Sequence, residues 1–339
     1  MRMDAVTPRT RKRRWPWIVV LSLVGVLFAG AAVAGVYLWN LSNAYNDSVT
    51  TLDDAEAFPD VSVRPAPVEE EHAGARNILL LGSDTRGQVG DDLDDIRGQR
   101  SDTMMIVHIP ADNQSVQVMS IMRDNWVPIP GRGHHKINAA LALGGVPLTV
   151  QTIESIIDVR IDHVAIVDFE GFAGLTDALG GVTVDNPKAF TGRGKTFAQG
   201  PITLGGADAL TYVRERYAFS DGDYQRVRNQ QAYIKGLIGE ILSRDTLTDP
   251  GKISNMVGAI SPYLTVDAGL DVGTIADLGL RLRDLRPADI DFFTSPTLGT
   301  GMVGDQSVVH PDWGALDDLA RAFRADAVGA FAEKLAARS

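Results

Sequence analysis

Apolar residues along this chain fall into three regimes. Between Trp15 and Asn46 there is no charged residue, and Ile18 to Trp39 is almost wholly apolar. A run of roughly 20 such residues is what a helix needs to cross a bilayer. Trp15, Trp17, Tyr37 and Trp39 flank it, as interfacial aromatics do. Residues 40–76 follow, rich in Asp, Glu, Pro and Ser and with little periodicity, which predicts a stalk or loosely packed helix. From Asn77 the pattern changes to short, alternating elements. Strands are predicted at Asn77–Leu81, Thr103–Ile109, Ser115–Met122, His163–Phe169 and Val182–Val184. Helices are predicted at Asn138–Leu143, Leu148–Asp158, Gly171–Leu179 and Gln225–Arg244, the last with a stripe of Val227, Ile234, Ile238 and Ile241. A helix at Val272–Leu285, a strand at Ile290–Thr294 and a terminal helix at Trp313–Ala337 complete the pattern. Interleaved helices and strands imply a layered α/β/α domain with a central mixed sheet. Only Pro110 to Gln114 separates the second and third strands, too short for a parallel crossover, so these should be antiparallel neighbours.

Charge orients this layout. Arg2, Arg9, Arg11, Lys12, Arg13 and Arg14 face only Asp4 before the apolar run, although the whole chain is at −11. A basic segment ahead of a span keeps the N-terminus cytoplasmic and the acidic body outside. Ala32-Val33-Ala34 could pass as a signal-peptidase site, but the apolar run continues past it to Trp39, which favours a retained anchor. The acidic body and the short cytoplasmic segment speak against nucleic-acid binding. Cysteine is absent, which removes disulfides, thiol nucleophiles and thiolate metal sites.

Charged residues cluster at strand ends. Asp84 and Arg86 follow the first predicted strand, Arg100 and Asp102 precede the second, and Arg123 and Asp124 follow the third. With the first two strands also antiparallel, all three clusters meet at one sheet edge, where α/β proteins commonly bind ligands. Carboxylates and guanidiniums together suit a divalent cation carrying a polyphosphate. A second cluster, Arg214, Arg216, Arg226 and Arg228, lies within Thr211 to Gln230. Arg226 and Gln230, four apart, share one helix face beside the apolar stripe, and Arg228 falls off it.

Several segments together resemble the LytR-CpsA-Psr family of cell-wall ligases. They are Leu79–Arg86 (LLLGSDTR), Arg100–Ile109 (RSDTMMIVHI), Met119–Pro130 (MSIMRDNWVPIP), Lys136–Ala140 (KINAA), Leu179–Val184 (LGGVTV) and Ala209–Gln231 (ALTYVRERYAFSDGDYQRVRNQQ). The resemblance implies an enzyme that transfers a glycopolymer with its phosphate from a polyprenyl-pyrophosphate carrier, lipid held in an apolar tunnel, to a peptidoglycan hydroxyl. It implies Mg²⁺, with Mn²⁺ as the alternative, on Asp84 and Asp102. It implies pyrophosphate contacts from Arg86, Arg100, Arg123, Arg214, Arg216, Arg226 and Gln230. Asp84, Asp102 and Asp124 all remain open as the acceptor's base. The expected organisation is a cytoplasmic segment at 1–17, a membrane helix at 18–39, a stalk at 40–76, a catalytic domain at 77–325 and a tail at 326–339. Teichoic acid, capsule and arabinogalactan stay open as the polymer, the Arg- and Ala-rich, Lys-poor composition leaning to arabinogalactan.

Other signals carry less. Gly192-Arg193-Gly194-Lys195-Thr196 ends like a phosphate-binding loop, but Ala189 stands where its first glycine belongs. His134 and His135 lack a further ligand at useful spacing, and His108 reads as a core residue on a strand. The rival functions are a polyprenyl-pyrophosphate phosphatase, a regulator and a non-catalytic wall-binding module.

Overall fold

The computed structural model describes residues 35–83, 103–219 and 222–337. Contacts divide the chain into residues 1–44 and 45–339. In the first unit residues 35–44 are helical, with Val36, Leu38 and Trp39 exposed. The remainder of the predicted 18–39 span lies outside the described residues.

The second unit contains β1 (Thr50–Leu52), α1 (Asp54–Ala57), β2 (Arg76–Ser83), β3 (Thr103–Ile109), β4 (Val116–Ile121), β5 (Trp126–Ile129), β6 (Gly133–Lys136) and α2 (Ala139–Ile157). There follow β7 (His163–Asp168), α3 (Phe169–Ala178), β8 (Val182–Asn186), β9 (Phe190–Gly192), β10 (Lys195–Phe197), β11 (Gly200–Leu204), α4 (Gly206–Arg214) and α5 (Asp223–Ile241). The last elements are α6 (Arg244–Leu247), α7 (Pro250–Ile260), β12 (Leu264–Asp267), α8 (Val272–Arg281), β13 (Ile290–Thr294), β14 (Thr297–Val303), β15 (Gln306–Pro311), α9 (Trp313–Arg324) and α10 (Val328–Ala336).

Seven strands form one mixed sheet in the order β1-β12-β7-β2-β3-β4-β13. β2, β3 and β4 are antiparallel neighbours, as the short Pro110–Gln114 link requires. β7 runs parallel to β2, and β13 parallel to β4. Every residue of β4 is buried, because helices cover both faces. On one face Leu79, Ile106 and Met119 pack against Val150 and Ile153 of α2 and Leu319 and Phe323 of α9. On the other, Met105 and Val118 pack against Ile238 of α5 and Leu278 of α8. Among the described residues α2 is long and apolar enough to cross a membrane, but it is a core helix, interrupted at Gly144 and Gly145, where Gly145 has φ +69°.

The structure corrects three sequence expectations. The predicted stalk is folded into the domain: β1 pairs with β12, Leu52 and Ala57 enter the core, and Arg64 meets buried Glu154 at 2.5 Å. A three-residue strand is too short to carry a readable period. The terminal helix is two helices, broken at Asp326 with φ +52°. The predicted tail contributes Val328 and Ala332 to the core, while the Asp326 carboxylate bonds His108 Nε2 at 3.0 Å and Ala111 N–H at 2.9 Å. Finally, α5 buries Gln225, Arg226, Asn229 and Gln230 as well as apolar side chains, so the apolar stripe marks only part of its contact face.

Candidate active site

Strand directions bring chemistry to one sheet edge. β2, β4, β7 and β13 end there and β3 begins there, with Gly82 paired to Thr103 and Met104 to Ile121. Of the predicted site residues, Asp84, Arg86, Arg100 and Asp102 lie outside the described residues. In sequence, Asp84 and Asp102 stand just beyond the paired Gly82 and Thr103.

Arg123 and Asp124 follow β4 in a segment fixed through its backbone. Asn138 N–H donates to Arg123 O at 3.2 Å, Val309 N–H to Asp124 O at 2.8 Å, and Ile137 N–H to Asn125 O at 2.8 Å. Two separate chain segments, at Ile137–Asn138 and at Val309, thus fix the backbone that carries these two side chains. Lys136, at the end of β6, reaches Asp124 Oδ1 at 3.1 Å.

The second arginine cluster arrives on α4 and α5. Asn229 Nδ2 donates to Tyr212 O at 3.2 Å and Gln230 Nε2 to Val213 O at 3.4 Å, tying α5 to the end of α4. Gln230 Nε2 also donates to Thr103 Oγ1 at 2.9 Å, at the start of β3. Three guanidiniums converge on one carboxylate, that of Asp223. Arg226 Nη2 is 3.3 Å from Oδ2, Arg123 Nε 3.5 Å from Oδ2, and Arg216 Nη1 3.7 Å from Oδ1. Arg214 lies slightly apart, with Cζ 3.9 Å above the Phe169 ring. Arg228 is exposed, and its guanidinium donates to Gln225 Oε1 at 2.7 Å. The face assigned to Arg226 and Gln230 is therefore the buried one.

Asp223 is the residue that sequence reasoning missed. Within Ser220-Asp221-Gly222-Asp223 it reads as loop polarity. The available signal was its position three residues before Arg226 in a helix's first turn, where an acid is favoured by the helix dipole and pairs at i,i+3. Asp223 and Asp124 also share a hydrogen bond. Burial, then that bond, pushes the Asp124 carboxyl above its ordinary range, against the pull of Lys136 and Arg123. Burial acts on Asp223 too, but Arg226, the bond from Asp124, Arg123 and Arg216 outweigh it and hold Asp223 low. Of the two, Asp124 is the more readily protonated and Asp223 the more persistently ionised.

An apolar cavity of about 260 Å³ opens between this edge and the helices. Leu80, Met105, Phe172, Leu175, Tyr233 and Leu237 line it, and Thr103 and Gln230, bonded to each other, border it. It matches the tail of an amphiphile whose head carries negative charge.

The signals set aside from sequence behave as structure. Gly192 to Lys195 makes the tight turn between β9 and β10, with Arg193 at φ +48° and Gly194 at φ +82°. On β6 His134 is exposed and His135 half-buried, and His108 is buried between Asn77 and Asp326.

Comparison with known proteins adds the following. The profile of the LytR_cpsA_psr family matches residues 36–321. The chain is 36% identical over 256 residues to the polyisoprenyl-teichoic acid–peptidoglycan teichoic acid transferase TagU of Oceanobacillus iheyensis, covering 73% of this chain and 76% of that one. It is 31% identical over 284 residues to the cell wall biosynthesis protein LcpA of Corynebacterium glutamicum, covering 70% of this chain and 54% of that longer one. Among solved structures, TagV of B. subtilis superposes with a TM-score of 0.62 at 26% identity, over 75% of this chain and 97% of that one.

Proposed function

This chain belongs to the LytR-CpsA-Psr family, and we infer that it transfers a glycopolymer with its phosphate from a polyprenyl-pyrophosphate carrier to a hydroxyl of peptidoglycan. The observation that carries this is the convergence of Arg123, Arg216 and Arg226 on one seat around Asp223, beside an apolar cavity. Such a seat, strongly cationic and adjacent to apolar walls, fits a pyrophosphate joined to a hydrocarbon tail. The two curated relatives support the reading by their names: one is a transferase between a polyisoprenyl carrier and peptidoglycan, the other a cell wall biosynthesis protein.

In this mechanism the acceptor hydroxyl attacks the sugar-proximal phosphorus. A new P–O bond forms to peptidoglycan, the bond from that phosphorus to the bridging oxygen breaks, and polyprenyl phosphate leaves. The guanidiniums neutralise the charge that collects on the equatorial and leaving oxygens, which is the main contribution a protein makes to phosphoryl transfer. The hydroxyl proton passes to the Asp124–Asp223 pair, with ionised Asp124 as its acceptor. Gln230 and Arg214 stand where the tail gives way to phosphate.

As the family resemblance implies, Asp84 and Asp102 would hold Mg²⁺ or Mn²⁺ through hard carboxylate oxygens. Asp124 and Asp223 are engaged by Lys136 and the arginines. When bound, the ion supplies further neutralisation of phosphate oxygens. The basic head and apolar run place the proposed anchor at the N-terminus, with the catalytic unit outside the cell membrane.

The test is incubation of the full-length protein with lipid-linked glycopolymer and peptidoglycan. A joined polymer that forms with Mg²⁺ and not with excess chelator supports transfer. Release of glycan phosphate with no joined product, at every acceptor concentration, supports the phosphatase alternative instead.

A further inference from the structure

Between the two arginine-bearing helices the chain turns at Glu215, the residue that caps α4. Its side chain is only 7% exposed. Oε1 accepts three successive backbone N–H groups, from Arg216 at 3.0 Å, Tyr217 at 2.8 Å and Ala218 at 3.0 Å. The loop is thus wound around one carboxylate oxygen, an anion in a nest of the chain's own amides. The other oxygen points at β9. A Cβ on Gly192 would collide with Oε2 and lie 2.9 Å from both Cδ and Cγ. Phe190 of the same strand packs at a tilt against Phe219, ring centroids 4.8 Å apart, gripping the far side of the loop. Arg216 leaves this turn to reach Asp223.

We propose that Glu215 is a positioning residue for pyrophosphate recognition, that it aims Arg216 into the site by winding residues 216–218 around its carboxylate, and that Gly192 is glycine to leave that carboxylate room. This rests on the pyrophosphate reading given above. Glu215 does not touch the anion; it acts through Arg216. Electrostatics alone makes the opposite prediction, since deleting a negative charge beside an anion site strengthens anion binding. The two accounts therefore differ in sign.

The experiment measures affinity of the full-length protein in detergent for geranylgeranyl pyrophosphate and for geranylgeraniol, which has the same tail and no phosphate. Positioning predicts that Glu215→Ala weakens the pyrophosphate about tenfold, the loss of one charge-assisted contact, and leaves the alcohol unchanged. Glu215→Gln keeps an acceptor oxygen and is expected to stay within about threefold of the parent. Gly192→Ala, whose φ needs no glycine, should reproduce the Glu215→Ala split with Glu215 still present. Tighter pyrophosphate binding in Glu215→Ala overturns the proposal, as does equal loss of both ligands in Glu215→Ala and Gly192→Ala, which marks a merely structural role. A parent protein that binds pyrophosphate no better than alcohol overturns the functional reading itself, and is recognised before any variant is made.

Discussion

Replacing Arg226 with alanine removes one of the three guanidiniums around Asp223, at a position 5% exposed. A charge-assisted contact in so buried a place is worth about 1.5–3 kcal/mol, whereas an exposed one is worth about 0–1. If that contact is made to the transition state, Arg226→Ala lowers transfer roughly ten- to 150-fold. Arg228→Ala removes the same charge two residues along the same helix, from an exposed side chain bonded to Gln225, and should lower it less than about fivefold. Net charge is identical in the two variants, so long-range attraction of the donor does not distinguish them. The assay is initial transfer rate at fixed donor and acceptor, with melting temperature recorded for each variant. Equal losses in both, with unchanged melting, would refute the assignment of a buried working face to Arg226.

Three further outcomes are expected. Asp124→Asn should lower turnover by about 10²–10⁴-fold, and the parent's rate should fall on the acid side through a pKa above the usual carboxylate value, because Asp124 is raised and must be ionised to accept a proton; a parent profile flat down to pH 4 would remove it as the base. Leu237→Trp fills part of the 260 Å³ cavity and should raise KM for a long-chain donor roughly tenfold with little change in melting; an unaltered KM would mean the tail lies elsewhere. Asp326→Ala loses the bonds to His108 and Ala111 N–H, about 1.5–3 kcal/mol, and should lower the melting temperature by roughly 3–12 °C at neutral pH. Burial raises the Asp326 pKa, but the His108 bond, the Ala111 amide and the charges of His108 and His72 together outweigh it and hold Asp326 below its usual value, so its contribution is present above the ordinary carboxylate range and is lost as pH falls through the lowered value. Parent and variant should therefore converge in melting temperature at low pH.

The layout of β2, β3 and β4 was legible because each has an apolar run of strand length and the link after Ile109 is too short for a crossover. That alone brings Arg123 and Asp124 to the edge where β3 begins. Elements that escaped notice are those whose stability comes from partners. β1 is three residues long and β12 four, and each is a strand only because the other, or β7, lies beside it. The break at Asp326 hides in an alanine-rich run of good helix formers; what stops the helix is a carboxylate bonded to His108, over two hundred positions away. Periodicity also undervalues buried polar residues. Gln225 and Asn229 look like a solvated face until their hydrogen bonds to one another and to Tyr212 O are known. Asp223 was invisible for the same reason: its meaning lies in three arginines, one of which is 100 residues earlier in the chain.

The central claim concerns which bond breaks, and isotope position reads it directly. A polyprenyl-pyrophosphate glycan carrying ¹⁸O in the bridge between its two phosphorus atoms is supplied with peptidoglycan, and both products are weighed by mass spectrometry. Attack at the sugar-proximal phosphorus predicts that the label leaves entirely on polyprenyl phosphate, and that the joined product retains one phosphorus between glycan and peptidoglycan. A joined product without phosphorus, accompanied by labelled polyprenyl pyrophosphate, would mean that the sugar–oxygen bond had been cleaved and would contradict the account.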